Sequence, residues 1–362
     1  MLLDKTEIIK VTPTLSDTED IEKLKFAADI LSRGGLVAFP TETVYGLGAN
    51  ALNTEAVNSI FKAKGRPQDN PLIVHVSTHT EIPKYAYTDS NKYYDIIKDE
   101  MPAPHTVILP KREIISDTVS AGLDSVGMRV PLSRVARKLI ELSGVPIAAP
   151  SANLSGKPSP TRAEHVISDM YGRADVIIDA GPCNVGVEST VITLCTEVPT
   201  ILRPGGFTKE MLERLLGKVN VSDAVLNGLK DGEKAASPGM KYKHYAPECK
   251  VILVKGKEQS IKKFLSQKLK SENCAILCCD GQCEVQDKKL FDRIISLGDI
   301  NHLESYAERL FDALRKTDTI KGINTVNASL PSDTFGISLA IYNRMLRAAA
   351  FNTVNADDYF AN

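Results

Sequence analysis

Lys62-Ala63-Lys64-Gly65-Arg66-Pro67-Gln68-Asp69-Asn70-Pro71 is the stretch on which the reading of this chain turns. Phe39-Pro40-Thr41-Glu42-Thr43-Val44-Tyr45-Gly46-Leu47-Gly48 precedes it, and Leu72-Ile73-Val74-His75-Val76 follows. Three cations within five residues, set among a Gly and two Pro, do not suit a helix interior. There Gly and Pro cost about 1 and about 3 kcal/mol relative to Ala. The stretch reads as a shaped, positively charged loop between two buried strands, an arrangement that suits a polyanion such as a nucleoside triphosphate. A solvated basic turn is the plainer reading. Lys62 and Lys64 close a helix that Thr54 can cap, with Val57, Ile60 and Phe61 on its apolar face, and a helix C-terminus favours cations by itself. Arg66 lies beyond the Gly65 stop and is not explained that way.

Working outward, the chain of 362 residues is long enough for two domains. Its 43% hydrophobic and 25% charged residues describe an ordinary globular protein. A net charge of −1 gives no global field for nucleic acid or a membrane surface. The polar start Met1-Leu2-Leu3-Asp4-Lys5 does not resemble a signal peptide, and no apolar run approaches a membrane span. Seven cysteines, four of them crowded at Cys274, Cys278, Cys279 and Cys283, lack the paired C-x2-C spacing of a metal site. Cys flanking Ala275-Ile276-Leu277 reads as a small hydrophobe on a buried strand, and the expected setting is the reducing cytoplasm.

Upstream, Ser16 and Glu19 suggest a capping box for a helix carrying Ile21, Leu24, Ala28 and Leu31, stopped by Gly34-Gly35. Leu36–Phe39 is a strand running into the hydroxyl-rich Pro40-Thr41-Glu42-Thr43. Downstream, strands are expected at Leu72–Val76, Thr106–Leu109, Val126–Val130, Ile147–Ala149 and Val176–Ile178. Pro150-Ser151-Ala152-Asn153 follows one of them, and Thr161 with Glu164 suggests a second capping box. Gly186-Val187-Glu188-Ser189-Thr190 and Ile201-Leu202-Arg203-Pro204-Gly205-Gly206 close a first domain at 1–216. Residues 217–249 form a linker ending in Pro238-Gly239-Met240-Lys241-Tyr242-Lys243-His244-Tyr245-Ala246-Pro247, whose aromatics and cations offer stacking faces and phosphate donors. From 250 to 362, strands alternate with helices, the pattern of a parallel sheet covered on both sides. No G-x-G-x-x-G follows its first strand.

H-E-x-x-H, Walker A and G-x-S-x-G patterns are absent from the sequence. The first domain instead offers hydroxyls and amides at strand ends (Thr41, Thr43, Thr106, Ser151, Asn153, Ser189, Thr190) and the cations Lys64, Arg66, Arg129 and Arg203. Such a set binds phosphates and a zwitterion, and works by positioning and charge neutralisation. Each residue also has a structural reading: turn and cap hydroxyls, Arg129 paired with a carboxylate, Arg203 over a strand edge, His75 in the core.

As a set, the stretches at 39–48, 64–72, 150–153 and 186–190 resemble the YrdC-like threonylcarbamoyl-AMP synthases, and 238–247 resembles the linker of their long, two-domain form. The resemblance implies an α/β chain with an N-terminal YrdC-like twisted mixed sheet with helices and a smaller C-terminal Rossmann-like parallel domain. It implies condensation of L-threonine, bicarbonate and ATP with Mg2+, releasing pyrophosphate, as the first step of threonylcarbamoyladenosine formation in tRNAs that read codons beginning with A. Partner machinery would complete the transfer to tRNA, and no membrane is involved. By the same resemblance Lys64, Arg66, Ser151 and Asn153 form the catalytic set. Thr41, His75, Arg129 and Thr190 hold threonine or its carbamate. Lys64, Arg66, Asn70, Thr106, Ser151, Asn153, Ser159, Arg203 and Tyr242 hold ATP, and Tyr242 with His244 supplies a lid. No protein side chain is expected to ligate metal. One departure stands out: Met101-Pro102-Ala103-Pro104-His105-Thr106 replaces the family's Trp-Pro-Gly-Pro-like turn, and Ala103 tolerates positive φ less well than Gly. The competing classes are a double-stranded RNA or tRNA-binding module of the same fold and a carbamoyl-transferring maturation enzyme. The balanced charge opposes the first, and the missing C-x2-C pairs oppose the second.

Overall fold

The structure, a computed structural model, describes residues 5–228 and 245–360. Its contacts divide the chain into one unit of Met1–Ser155 with Ser159–Lys241 and another of Gly156–Pro158 with Tyr242–Asn362. The expected lid residues Tyr242 and His244 lie outside the described residues.

The first unit is built on a mixed sheet. Its strands are β1 (Glu7–Lys10), β2 (Val37–Pro40), β3 (Tyr45–Asn50), β4 (Ile73–His75), β5 (His105–Pro110), β6 (Ser125–Arg129), β7 (Ile147–Ala148), β8 (Val176–Asp179), β9 (Thr190–Thr193), β10 (Thr200–Arg203) and β11 (Asn220–Val221). They lie in the order β1-β8-β2-β3-β7-β4-β6-β5-β9-β10-β11. Hydrophobic runs such as Val37-Ala38-Phe39 are buried on both faces, as a sheet covered by helices requires. On one face the helices Thr18–Ser32 and Arg134–Ser143 pack Leu24, Leu31, Val135 and Leu139 onto Val37, Phe39, Ile147 and Ile178. On the other face, Val57, Ile60 and Phe61 of the helix Thr54–Lys64 join Val74, Val107, Met128 and Ile192 in the larger core. Each fully buried Leu, Ile or Phe contributes about 1.5–3 kcal/mol, so these two layers fix where every strand end points.

The helix starts differ from the capping residues expected from sequence. Asp17, not Ser16, caps the first helix, its carboxylate accepting from Glu19 N at 2.9 Å. Asn53, not Thr54, caps the second, accepting from Glu55 N and Ala56 N. The helix Ala163–Met170 starts at Arg162 with no side-chain cap bond. A cap needs extended backbone and a short acceptor at the same residue, and Asp17 and Asn53 have both.

In the second unit β12 (Lys250–Lys255), β13 (Cys274–Cys278), β14 (Ile294–Ser296), β15 (Thr325–Ser329) and β16 (Thr353–Asn355) lie in the order β14-β13-β15-β12-β16. Every pairing among them is parallel. Helices Glu258–Ser271, Leu303–Thr317 and Ser338–Ala348 make crossovers. Cys274, Cys278 and Cys279 are buried, and desolvation pushes their thiols up, that of Cys279 to about 12. They pack as small apolar side chains and are not thiolates at neutral pH.

Candidate active site

Lys64 is the last residue of its helix, and Gly65 ends the helix in the left-handed region at φ 61°. The Lys64 side chain does not extend into solvent, as a solvated basic turn would have it; the residue is 3% exposed. Its ammonium donates to Asn153 O at 2.5 Å and to Ser151 O, residues 89 and 87 positions away in sequence. Ser155 N returns a bond to Lys64 O. The loop it grips is rigid for its own reasons: Leu47 N donates to Pro150 O and Ala152 N to Tyr45 O, so residues 150–152 continue the sheet beside β3. Ser151 Oγ donates to Asn153 Oδ1 at 2.6 Å. Arg66 folds back, its Nη2 donating to Asn70 O and Pro71 O, with the guanidinium 5.8 Å from the Phe61 ring centre. Asn70 is 1% exposed, and neither atom of its side-chain amide has a partner among the described residues. Two buried, unsatisfied amide atoms are costly, and a water or a polar ligand would satisfy them.

A second cluster stands on the sheet. The registers His75↔Arg129 and Ile108↔Gly127 place His75, Arg129, Thr106 and Ile108 on one face, since side chains alternate along a strand. A small apolar group, Ile73, Ile108 and Val191 with Leu202 against it, forms part of the same face. Thr106 Oγ1 and Ser189 Oγ are 2.8 Å apart, and Arg203 holds Ser189 by its carbonyl at 3.0 Å and its hydroxyl at 3.1 Å. Gly205 permits this arrangement: a Cβ there would lie 2.3 Å from Thr190 N and 2.4 Å from Glu188 O. Ser189, placed at the centre of this cluster, appeared in sequence only as one hydroxyl among many.

Arg129 is buried, and its Nη2 donates to Glu42 Oε1 at 2.6 Å, Thr43 Oγ1 at 2.9 Å and Thr41 Oγ1 at 3.5 Å. Its Nε has no partner among the described residues. The carboxylate reading of Arg129 thus holds, with Glu42 as the partner. Thr41 also shapes the loop, donating to Val44 O and accepting from Thr43 N and Val44 N.

Two further expected ligand residues have their hydroxyls engaged within the protein. Thr190 Oγ1 donates to Phe207 O at 2.6 Å, and its register with His105 puts it on the face opposite Thr106. Alternation along β9, not readable without the pairing partner, decides this. Ser159 is fully buried, its hydroxyl donating to Glu188 Oε1 at 2.5 Å. Ala103, in the divergent turn, donates its N–H to Val130 O and is not among the residues at positive φ.

Burial, with the Arg129 guanidinium adding to it, pushes the imidazoles of both His75 and His105 down to about 3. His105 is fully buried at 4.9 Å from the Phe207 ring, and neither ring nitrogen has a partner among the described residues. Above pH 6.5 both histidines are neutral folded and unfolded. As pH falls from 6.5 towards 3, only the unfolded chain takes up these protons, so each costs stability at up to about 1.4 kcal/mol per pH unit. His105→Leu is expected to raise stability at pH 7 by about 1–2 kcal/mol, by removing unsatisfied buried nitrogens. It should also halve the part of the acid slope that His75 and His105 supply together. Urea melts at pH 7 and pH 5 measure both, and an unchanged slope refutes the assignment.

Among the described residues no group of three or more His, Cys, Asp and Glu is arranged to hold a metal ion, and no helix is long and apolar enough to cross a membrane.

Comparison with known proteins gives the relatives of this fold and site. The family model described as "Telomere recombination", the Sua5–YciO–YrdC domain, matches residues 29–205, and the model of the threonylcarbamoyl-AMP synthase C-terminal domain matches 207–350. The threonylcarbamoyl-AMP synthase of Pyrococcus abyssi is 42% identical over 336 residues, covering 92% of this chain and 95% of that one. The Bacillus subtilis enzyme of the same name is 43% identical over 348 residues, covering 95% and 97%. The crystal structure of P. abyssi Sua5 complexed with L-threonine superposes with a TM-score of 0.87 at 40% identity, covering 97% of this chain and 99% of that one. With both domains matched in order and most of the length shared, this chain belongs to the threonylcarbamoyl-AMP synthase family, a family of enzymes acting in tRNA modification.

Proposed function

We propose that this enzyme condenses L-threonine, bicarbonate and ATP to threonylcarbamoyl-AMP and pyrophosphate, in the cytoplasm, for threonylcarbamoyladenosine in tRNAs that read codons beginning with A. The observation that carries this is Arg129: a buried guanidinium, ringed by Glu42, Thr41 and Thr43, whose Nε lacks a partner among the described residues. Such a group is made for a small carboxylate, and the L-threonine complex of the Pyrococcus relative supports the amino acid as its owner.

The chemistry divides between two ends. The threonine amine adds to bicarbonate and loses water to give a carbamate. One carbamate oxygen attacks the α-phosphorus of ATP, and the α–β bridging oxygen leaves with pyrophosphate. Arg129 would anchor the threonine carboxylate, with Thr41 and His75 beside it. Neutral His75 cannot add a second positive charge there at pH 7. Lys64 and Arg66 would offset the triphosphate charge, with Ser151, Asn153, Asn70, Thr106 and Arg203 placing the nucleotide. Mg2+ would be held by phosphate oxygens and water, since the described residues present no carboxylate cluster for it, and it would neutralise charge on the leaving pyrophosphate. Tyr242 and His244 would close over an adenylate that water otherwise destroys.

The test is direct. Purified protein with Mg-ATP, bicarbonate and L-threonine should release pyrophosphate, and omitting threonine should abolish release. Turnover that ignores threonine would remove the substrate assignment.

A further inference from the structure

Glu42 lies in the same hydroxyl-rich loop as Thr41 and Thr43, yet its carboxylate is buried, with a side chain 6% exposed against 5% for Arg129. Both of its oxygens are occupied. Oε1 takes Arg129 Nη2 at 2.6 Å. Oε2 accepts from Leu132 N at 2.9 Å and Ser133 N at 3.3 Å, the two residues leading into the helix Arg134–Ser143. Its main-chain carbonyl accepts from Val185 N at 2.9 Å. Two main-chain amides hold the carboxylate and a third holds the Glu42 backbone, so the carboxylate keeps its place independently of Arg129. A long guanidinium side chain gripped at one Nη by an immobile carboxylate keeps its orientation, and its Nε edge stays where the next anion must come.

The charge matters as much as the geometry. Arg129 and Glu42 together are neutral, so the pocket attracts an anion through one directed guanidinium edge and not through net positive charge. That suits a single carboxylate. A pyrophosphate or triphosphate needs several uncompensated cations, and this pair denies it one.

We propose that Glu42 is the positioning and charge-compensating residue of the amino-acid site, making Arg129 selective for one carboxylate and closed to polyphosphate. The inference rests on the proposed threonine reading and deepens it. The experiment uses the full-length chain, steady-state pyrophosphate release, and inorganic pyrophosphate as the inhibiting probe. Glu42→Gln, which keeps an acceptor for the Leu132 and Ser133 amides but loses the charge, should lower kcat/KM for threonine about ten- to a hundred-fold, with KM for ATP within about three-fold of wild type. Pyrophosphate should become competitive with threonine in this variant and not in wild type. Unchanged kcat/KM for threonine, or unchanged pyrophosphate behaviour, overturns the proposal. If Glu42→Gln does not fold, Glu42→Asp decides. It keeps the charge but is one methylene too short to reach both partners, so kcat/KM for threonine should fall while pyrophosphate remains non-competitive; a wild-type kcat/KM there also overturns it. The two readings fail separately. A wild-type protein that neither binds L-threonine in calorimetry nor turns it over defeats the threonine reading, whereas a wild type that does both beside an unaltered Glu42 variant defeats only the role of Glu42.

Discussion

Lys64→Ala is expected to lower kcat/KM for threonine-dependent pyrophosphate release by about a hundred- to a thousand-fold, the loss typical when a preorganised charge facing a developing anion is removed. The structure gives two reasons. The ammonium is the positive charge at the wall formed by Ser151 and Asn153, and it is held within a buried setting, where charge acts through a low dielectric. It also ties the helix Thr54–Lys64 to the 150–155 loop, so its loss loosens Ser151 and Asn153 together. Stability should fall by only about 1–3 kcal/mol, the cost of two carbonyls losing a charged donor, because the helix itself is anchored by Val57, Ile60 and Phe61. Urea melts and pyrophosphate assays on the same preparation separate the two effects. A variant that unfolds but, when stabilised, turns over normally would reduce Lys64 to a strut. Lys64→Arg should fail nearly as badly, since a forked guanidinium does not fit where one ammonium meets two carbonyls.

The behaviour of Lys64 also marks what a sequence can and cannot disclose. Its cationic loop was visible because Gly65, Pro67 and Pro71 forbid a continuing helix. Its burial was not, because the carbonyls that accept its protons come from a loop 87 and 89 residues away. The parallel sheet of the second unit was legible from alternation alone: β13 is apolar throughout, and the helix Leu303–Thr317 buries Tyr306, Leu310 and Leu314 along one stripe. The edge strands β1 and β16 were not expected. Glu7-Ile8-Ile9-Lys10 and Thr353-Val354-Asn355 are short and largely exposed, and they exist because β8 and β12 offer them unpaired backbone.

Side-chain direction was the hardest thing to read. Thr106 and Thr190 look alike in sequence, hydroxyls at or near the starts of strands. Pairing turns Thr106 towards Ser189, and turns Thr190 towards Phe207 O and the side of His105. Glu42 was hidden for the same reason. In sequence it is one polar residue of a hydroxyl-rich loop, and its partner Arg129 lies 87 positions on. Cys274 and Cys278 lie on β13, which is buried along its whole length, so they pack there as small apolar side chains.

Arg129→Ala is expected to have the largest effect on stability, a loss of about 3–5 kcal/mol, because it leaves a buried carboxylate without its cation. Glu42 would retain Leu132 N and Ser133 N, and these amides cannot offset a full charge on a side chain this buried. Activity with threonine should fall by at least about a hundred-fold, since the directed guanidinium edge is gone. The two losses can be uncoupled. Adding Glu42→Gln to Arg129→Ala removes the orphaned charge, and the neutral amide can still accept from the helix start. The double variant should therefore recover about 2–3 kcal/mol of the lost stability, a coupling of the size that double-mutant cycles find for groups in direct contact. It should recover none of the threonine activity. Equilibrium urea melts of the four proteins of the cycle, read beside threonine titrations, make the distinction. Additive stabilities would mean that the 2.6 Å contact carries no net energy. Recovered activity would mean that some other group holds the carboxylate. Recovered stability without recovered activity is the outcome that assigns the pair two roles at once: Glu42 tolerated in the interior because Arg129 balances it, and Arg129 held ready because Glu42 does not move.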